Sequence, residues 1–413
     1  MRKKLSILLA VLLALSAIFA VTACGGRPGA PDEPDTPDVV DTDDGDDDDD
    51  EDDLPEGTEI VEVDDWVIGI ITGTVTQGEE EYFAGILMEQ RFGSDRIVRT
   101  TYPDDFGAEM ATTIANVQSL VDQGAQAIVF CQAVPGAIAA MQETREQFGD
   151  ILFVLGTPHE VTDELADHAD VILIIDDLAR GTSIMDQAVA MGADTFAHIS
   201  FPRHLSMENI AARRELLMEA AEANGIEWVE LTAPDPASEG APVAQQFVLE
   251  NVPLWVAEHG ENTAFFSTNC AMQEPLITQV LAYGGLYPEQ CCPSPLHALP
   301  AAFNVEVPDE HQGDMIFLID LLTEEIAAQG GEGRFATWPV PVNILFIEVG
   351  TLYAIEYLEG RTDGAHDHEV LMRVLDEVAA SYGATFEVAN WPNDAGDGYL
   401  ENFYRVFSRS VTF

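Results

Sequence analysis

Eleven polar residues stand directly after stretches predicted to be β-strands, at positions where loops would carry them toward a ligand. Their side chains offer hydroxyl, amide, thiol, imidazole and guanidinium groups, which suit hydrogen bonding to a small polar ligand. Each one alone could equally cap a helix or satisfy loop backbone, so the prediction depends on the set. The predicted ligand-binding residues are Thr72, Thr74, Gln77, Cys131, Gln132, Thr157, His159, Ser200, Arg203, His204 and Asn269.

Arg203 is the most specific candidate, because arginine is scarce in this acidic chain and this one follows a predicted strand. A guanidinium at that position can hold a carboxylate or phosphate through two parallel hydrogen bonds. A salt bridge to a neighbouring acid is the alternative. Asp176 and Arg180 flank the changeover between the two halves of the chain, and we expect a simple ion pair between them rather than a hinge.

The cysteines and histidines show no sequence signature of a metal site. Cys131, Cys270, Cys291 and Cys292 allow three disulfide connectivities if two bonds form, and Cys270 with Cys291 or Cys292 is the pairing nearest in sequence. A vicinal Cys291–Cys292 ring would be strained. No C-x-x-C spacing occurs, which argues against zinc. The segment His366-Asp367-His368 could bind a divalent ion, but it is more typical of a solvated loop. We therefore predict no metal and no cofactor.

Sequence signatures of common catalytic sites are also missing. The chain has no P-loop and no G-x-S-x-G motif, and its first strand ends in Gly69-Ile70-Ile71-Thr72-Gly73 rather than in G-x-G-x-x-G. A dinucleotide site is therefore unsupported. We predict a protein without catalytic activity, and a hydrolase-type enzyme on the same scaffold is the alternative.

The elements that must position these residues alternate regularly in the first half of the chain. The stretch Trp66–Thr76 (WVIGIITGTVT) is apolar and rich in β-branched residues before it breaks at a glycine, which predicts a buried parallel strand and a loop. The predicted strands are Trp66–Gly73, Arg96–Tyr102, Ala127–Ala133, Ile151–Gly156 and Val171–Asp176. The predicted helices are Glu79–Arg91, Gly107–Gln123 and Pro135–Phe148.

A second α/β series follows, with the changeover near residues 176–182. Its predicted helices are Leu178–Met191, Met207–Asn224 (capped by Ser206 and closed by Gly225), Ala241–Glu258 and Gln273–Tyr283. Its predicted strands are Ala197–Phe201, Glu227–Thr232 and Thr263–Thr268. Further on we expect a strand-to-helix stretch in Pro339–Val349, a helix in Gly350–Leu358, and a final strand or packed tail in Tyr399–Phe413.

The N-terminus is typical of a targeting segment. Arg2, Lys3 and Lys4 precede the apolar run Leu5–Val21, and Cys24 follows small residues in a pattern that resembles the lipobox of bacterial lipoproteins. That resemblance implies cleavage before Cys24 and lipid on this cysteine; a plain signal peptide or an anchor helix is the alternative. Residues 25–65 are rich in proline, glycine and acid, so we expect an extended tether rather than a calcium-binding tract.

The negative charge of the chain argues against nucleic acid and anionic membranes as binding partners. The formal net charge of the 413 residues is −57, and no lysine occurs after Lys4. The part after Asp65 holds 13 arginines against 54 acidic residues, a net charge near −41. Such a surface argues against binding of nucleic acid or of an anionic membrane by the folded part.

The element order resembles the type I periplasmic binding protein superfamily, in which two Rossmann-like lobes enclose a ligand cleft. The segment Val121–Gly136 (VDQGAQAIVFCQAVPG) is similar to the third-strand segment of that superfamily, where a helix, a glycine, a strand and a small polar turn recur. More closely, the chain resembles the DUF3798 lipoproteins. The resemblance implies an α/β fold with two parallel sheets and an interlobe cleft.

The residue patterns and the family resemblance together predict how the chain is divided. We expect a lipoprotein signal peptide in residues 1–24, an acidic tether in 25–65, an N-terminal lobe in 66–177, a C-terminal lobe in 178–300, and crossovers that complete both lobes in 301–413. The resemblance implies an extracytoplasmic solute-binding protein that serves a membrane permease or sensor. A transcriptional regulator is disfavoured, because the segment before Trp66 has no helix-turn-helix character.

Overall fold

The computed structural model describes residues 66–308, 311 and 313–413, which form a two-lobed α/β protein. The predicted signal peptide, Cys24 and the acidic tether lie outside the described residues. Among the described residues, no helix combines the length and the apolar character needed to cross a membrane. The α/β fold class predicted from the sequence is confirmed.

The first lobe is built on a seven-stranded sheet in the order β10-β11-β5-β4-β3-β1-β2. All neighbouring strands are parallel except β10 and β11. β1, β3, β4 and β5 are buried along their whole length because helices cover both faces, which explains their unbroken apolar sequences. The strands are β1 (Ile68–Thr72), β2 (Ile97–Thr101), β3 (Ala127–Cys131), β4 (Leu152–Gly156), β5 (Val171–Ile175), β10 (Glu387–Pro392) and β11 (Tyr399–Phe407).

Six helices of the described residues surround this sheet, and the most buried of them comes from the C-terminal third of the chain. Twelve of the 17 residues of that helix, α13, are buried, and its Gly350 allows close contact with Val129 and Val154 of the sheet. The helices of this lobe are α1 (Val75–Phe92), α2 (Met110–Asp122), α3 (Ala137–Phe148), α4 (Asp163–His168), α13 (Val342–Leu358) and α14 (His368–Ser381).

The second lobe holds a three-stranded parallel sheet in the order β7-β6-β8, which later segments extend. Backbone hydrogen bonds join β8 to Leu286, Tyr287 to the start of β9, and β9 to β12. The strands are β6 (Thr195–Ser200), β7 (Glu227–Thr232), β8 (Thr263–Ser267), β9 (Ala336–Thr337) and β12 (Val411–Thr412). The helices are α5 (Asp177–Ala190), α6 (Pro202–Leu205), α7 (Glu208–Asn224), α8 (Pro236–Glu239), α9 (Ala241–His259), a 3-10 turn (Cys270–Met272), α10 (Gln273–Tyr283), α11 (Leu299–Phe303) and α12 (Met315–Ala328).

The described chain passes between the two sheets three times. It leaves the first lobe at residue 176, between β5 and α5, and returns through residues 338–341, between β9 and α13. It crosses again through residues 408–410, between β11 and β12. The aromatic stretch Tyr399–Phe413 is therefore divided: most of it is a strand of the first sheet, and its end pairs with β9 in the second.

Several local predictions differ from the structure. Ser206 does not cap α7, because its hydroxyl donates to the carbonyl of Arg203 at 2.7 Å and closes the short helix α6 instead. Pro135 lies before α3, which begins at Ala137 after the left-handed Gly136. The stretch Pro339–Val349 contains no strand, because its prolines leave only a connection before α13 begins at Val342.

Gly181 of α5 provides a test of how closely α5 and α7 pack. A Cβ atom on Gly181 would lie 2.5 Å from Leu216 Cβ, an atom fixed by the α7 backbone. We expect Gly181→Ala to destabilise the protein by about 1–3 kcal/mol, because the helices must separate. The measurement is the midpoint of urea unfolding. The control is Gly85→Ala in α1, whose nearest neighbour would be the flexible Arg99 Cδ at 3.3 Å; it should be neutral or stabilising by up to about 1 kcal/mol. Equal behaviour of the two variants would contradict the close approach.

Candidate functional site

A cleft of about 80 Å³ lies between the lobes, where the carboxyl ends of β3 and β4 face those of β6 and β8. This is the position at which open parallel sheets bind ligands. Seven of the eleven residues singled out in the sequence line this cleft: Gln77, Gln132, Thr157, His159, Arg203, His204 and Asn269.

The other four predicted residues lie behind the lining. The Thr72 hydroxyl donates to the carbonyl of Gly73, and the Thr74 hydroxyl donates to Asp104. Cys131 is fully buried, with its sulfur 3.3 Å from a carboxylate oxygen of Glu81. The Ser200 hydroxyl is 2.9 Å from that of Thr268, which does line the cleft.

Backbone strain marks the first-lobe wall of the cleft. Gln132 and Thr157 have φ values of 66° and 48°, in the left-handed region that side chains with a Cβ rarely adopt. Both follow directly from the ends of β3 and β4, and their amides bond to the carbonyls of Gly156 and Leu173. Strained residues at strand ends are common at functional sites, because surrounding structure must hold them there.

A hydrogen-bond chain fixes the polar groups of this wall. The buried Glu81 carboxylate accepts from the Gly73 amide, the Tyr102 hydroxyl and the Gln132 amide nitrogen. The Gln132 oxygen is then the acceptor for Nε2–H of His159 at 3.1 Å. Burial, reinforced by the charge of Arg203, lowers the pKa of His159 to about 3, so this imidazole is neutral at pH 7.

The second-lobe wall places Arg203 in an ion pair. Its Nε and Nη2 atoms donate to the two carboxylate oxygens of Asp235 at 2.8 and 2.9 Å. The guanidinium also lies 5.4 Å from the ring of Phe106, which belongs to the first lobe. The two-pronged contact expected for a ligand is therefore occupied by the protein. His204 bonds to Thr268 at 3.1 Å, and burial lowers the pKa of His204 well below its usual range.

The floor of the cleft consists of residues that the sequence analysis did not assign to the binding site. Asp177 accepts hydrogen bonds from Arg180 at 2.9 Å, from Asn209 at 2.7 Å, and from Arg213. Arg180 is fully buried and also donates to Glu289 at 2.7 Å and to the carbonyl of Gln290. The signal in the sequence was weak: Asp177 and Arg180 are one helical turn apart, but their other partners lie far along the chain.

The expected ion pair between Asp176 and Arg180 is wrong. Asp176 caps α5 through the amide of Ala179 and pairs with Arg405 at 3.2 Å. Arg180 instead pairs with Asp177 and Glu289, because its side chain extends into the interior beneath the cleft.

The guanidinium groups that line the cleft are paired with carboxylates. The three guanidinium groups that line it, those of Arg180, Arg203 and Arg213, are matched by the carboxylates of Asp177, Asp235 and Glu289. Both cleft histidines have lowered pKa values and are neutral at pH 7. The site is thus close to electrically neutral inside a strongly acidic protein.

The remaining sequence candidates have structural partners. His366 and His368 both bond to the Tyr404 hydroxyl, at 2.6 and 3.1 Å, and Asp367 caps α14, so these side chains do not form an open metal site. The four described cysteines are free thiols. Cys270 lies 3.1 Å from Cys291 and 3.6 Å from Cys292, measured between sulfur atoms.

The two lobes, the three crossovers of the described chain and the intervening cleft make up the fold of type I periplasmic binding proteins. The chain belongs to the family described as "Protein of unknown function (DUF3798)", whose profile matches residues 66–336.

Comparisons with individual proteins agree with this assignment. The chain is 34% identical over 168 residues to an uncharacterized protein of Treponema pallidum (strain Nichols), covering 40% of this chain and 77% of that one. A putative transcriptional regulator from Clostridium difficile 630 has a similar structure, with a TM-score of 0.64 at 20% identity, over 84% of this chain and 99% of that one. An ABC transporter periplasmic solute binding protein from Actinobacillus succinogenes 130z, solved with bound D-allose, gives a TM-score of 0.50 at 14% identity, over 75% and 99%. At these identities the structural likeness shows the fold alone.

The buried charges of the floor should make Asp177 costly to replace. We expect Asp177→Asn to lower the free energy of unfolding by about 3–5 kcal/mol, because two buried guanidinium groups lose a shared counterion. Urea denaturation measures this change. Asp186→Asn, at an exposed position of the same helix, is the control and should change the stability by no more than about 0.5 kcal/mol. A loss as small as that of the control would refute the role of the buried network.

The lowered pKa of His159 predicts a pH dependence of stability. Below about pH 6.5 the unfolded chain takes up a proton that the folded protein accepts only near pH 3, so acid favours unfolding across that window. We expect the melting temperature of His159→Gln to fall less than that of the wild type between about pH 7 and pH 5. His259→Gln, on helix α9, serves as the control and should keep the wild-type pH profile. An unchanged profile in His159→Gln would count against a neutral, buried imidazole.

Proposed function

We propose that this protein is a lipid-anchored, extracytoplasmic solute-binding protein that captures a small polar ligand between its lobes, without catalysis. The observation that carries the proposal is the cleft itself, lined by hydrogen-bonding side chains from both lobes and bordered by chain crossovers. A ligand that contacts both walls stabilises the closed arrangement, which is how hinged two-lobed proteins convert binding into a change of shape.

The balance of charge favours a neutral ligand. An anion would have to compete with Asp235 for Arg203 and with Asp177 for Arg213. Neutral hydroxyl groups need only the remaining donors and acceptors, such as Nη1 of Arg203 and the amide of Asn269. Phe106 adds an apolar ring to the lining, and such rings suit the C–H face of a sugar or polyol. We therefore assign the ligand to small, uncharged, hydroxyl-rich compounds.

Unsatisfied polar atoms at the floor support a binding role. The Oδ1 atom of Asn209 and the Nε atom of Arg213 are buried without a hydrogen-bond partner, although both residues line the cleft. Buried polar groups are nearly always paired in folded proteins, because an unpaired one costs about 1–3 kcal/mol. A ligand that lets these side chains reorient toward it would recover part of that cost.

A hydrolase is the alternative, and the cleft argues against it. Thr268 and His204 form a hydroxyl–imidazole pair at 3.1 Å, which is the first requirement of a nucleophile and its base. The pKa of His204 is lowered well below its usual range, first by burial and then by the charge of Arg203. An imidazole with so low a pKa is a poor base at neutral pH, so it cannot activate the hydroxyl efficiently.

The cellular setting is proposed from the sequence. The lipobox-like segment ending at Cys24 supports a lipid anchor on the extracytoplasmic face of the cell membrane, and the acidic tether of residues 25–65 would hold the binding lobes away from it. A membrane permease or sensor is the partner to which such a protein would deliver its ligand. The acidic surface is unsuited to nucleic acid.

A thermal-shift screen of the full chain tests the ligand class. The library contains neutral sugars and polyols, amino acids, nucleosides, peptides and organic acids. Binding to the folded state alone stabilises it by about 2.7 kcal/mol at a ligand concentration 100 times the dissociation constant. We expect a rise of several degrees in melting temperature with a neutral hydroxylated compound. A hit confined to organic acids would refute the neutral class, and no hit in any class would remove the main support for solute binding.

Two matched arginine variants locate the site. Arg203 and Arg214 have equally exposed side chains, 29% each, and each pairs with one carboxylate, but only Arg203 lines the cleft. We expect Arg203→Gln to weaken binding of the hit by about 10-fold or more, through loss of a donor to the ligand, and Arg214→Gln to leave it unchanged. Calorimetric titration measures both. Equal affinities for the two variants would place the ligand outside this cleft.

A further inference from the structure

Two cysteines and one histidine converge at the edge of the cleft, and a third cysteine lies beside them. The Sγ atoms of Cys270 and Cys291 and a ring nitrogen of His297 all lie within 4.8 Å of one another. The sulfur of Cys292 is 3.6 Å from that of Cys270. The sequence argument against zinc considered spacing within one stretch, whereas these ligands come from two separate loops of the second lobe.

The ring of His297 is held by a backbone carbonyl through one of its nitrogens. Its Nδ1 atom lies 2.8 Å from the carbonyl oxygen of Cys292. In the tautomer that donates this hydrogen bond, Nε2 carries the free lone pair. A backbone carbonyl that accepts from one ring nitrogen while the other binds the ion is the usual arrangement around protein-bound metals.

The loop that carries Cys291, Cys292 and His297 is held from both sides. Arg180 donates to the carbonyl of Gln290, and the Gln290 side chain donates to the carbonyls of Ser294 and His297 at 3.0 and 3.3 Å. The Thr337 hydroxyl in turn donates to the Gln290 oxygen at 2.7 Å. These contacts fix the positions of the thiols and the imidazole before any ion binds, which limits the cost of ordering them.

We propose that Cys270, Cys291 and His297 bind one zinc-type ion, and that a water molecule or the neighbouring thiol of Cys292 completes its coordination. Sulfur and imidazole nitrogen are the donors that soft and borderline cations such as zinc prefer. Ideal tetrahedral zinc–thiolate geometry separates sulfur atoms by about 3.8 Å, and the two separations in the structure are 3.1 and 3.6 Å. Binding forms the metal–ligand bonds and releases the thiol protons to solvent.

An ion could reach this site from solvent, and its binding would affect the neighbouring ligand cleft. Cys270, Cys292 and His297 line a neighbouring cavity of about 660 Å³, which gives access from solvent. Cys270 directly follows Asn269 of the ligand cleft, and both residues line it. A bound ion would therefore join the Asn269 loop to the Cys291–His297 loop and stiffen one wall of the solute site. This proposal stands on the thiol and imidazole geometry and does not depend on which solute binds.

The test measures zinc and cobalt binding by the full chain, purified with detergent and thiol reductant and handled without oxygen. We expect about one zinc ion per chain by elemental analysis after removal of free metal. Cobalt as a spectroscopic substitute should give sulfur-to-metal charge-transfer absorption together with the intense visible bands of a tetrahedral ion. Substoichiometric zinc, or a cobalt spectrum without the sulfur band, would overturn the proposal.

Variants separate this site from other thiols. Cys270→Ser and His297→Gln should each weaken zinc binding by about 100-fold or more. Cys131→Ser, which alters a buried thiol bonded to Glu81, should bind zinc as the wild type does. Far-ultraviolet circular dichroism checks that each variant is folded, and His297→Gln keeps the test usable if Cys270→Ser is not. Zinc binding that survives both site variants would overturn the assignment. The assignment would also be overturned if the fully reduced protein bound no zinc and then formed a Cys270–Cys291 disulfide on exposure to air.

Discussion

The carboxylate of Glu289 is the contact on which the two-lobed arrangement depends. It is 1% exposed and accepts hydrogen bonds from Arg180, from the indole of Trp338 and from the hydroxyl of Ser410, all at 2.7–2.8 Å. Arg180 stands in the first turns after the first crossover, Trp338 lies in the second crossover and Ser410 in the third. One buried anion therefore connects all three passages between the lobes. Separating Glu289 from Arg180 would leave the Glu289 carboxylate buried without a counterion, so this ion pair opposes movement of the first crossover away from the other two.

The same network explains how a highly acidic protein keeps a neutral interior site. Carboxylates on the surface remain hydrated and repel one another weakly, whereas Asp177, Asp235 and Glu289 near the cleft each meet a guanidinium. Three of the scarce arginines thus lie where burial makes an unpaired carboxylate most costly. The cleft histidines contribute no charge because burial favours their neutral form. In the solute-binding role proposed above, selectivity would then depend on hydrogen-bond geometry rather than on long-range attraction.

Much of the fold could be predicted from the sequence, because its strands carry their own signal. The unbroken apolar runs of β1, β3, β4 and β5 are what strands covered on both faces require, and the structure places them within two residues of the predicted bounds. The loops after these strands could be predicted as well, because the end of a strand determines where the following polar residues reach the cleft. Gln132, Thr157 and Asn269 line the cleft on this account.

The remaining features depend on contacts between distant residues. Glu289 and Arg180 are 109 positions apart, and no local pattern joins them. Arg203 was identified from its position, but its partner Asp235 follows a different strand and could only be one of many acids. The sequence pairs Cys270 with Cys291 or Cys292, but the place of His297 beside them could not be predicted, because the two segments approach only where β8 bonds to Leu286. Thr72 and Ser200 lie behind the cleft lining, and this position likewise reflects packing rather than sequence pattern.

The late strands β11 and β12 have a consequence for the order of folding. β11 fills the place between β5 and β10, although Phe403 and its partner Ile172 are more than 200 residues apart, and β12 borders β9 in the other sheet. Neither sheet is complete until residues 399–412 have arrived, so each lobe must wait for the last strands of the chain. During synthesis the edge of β5 stays open, and an open edge is a template for aggregation. Such distant pairings also make folding slow, which gives a chaperone time to act.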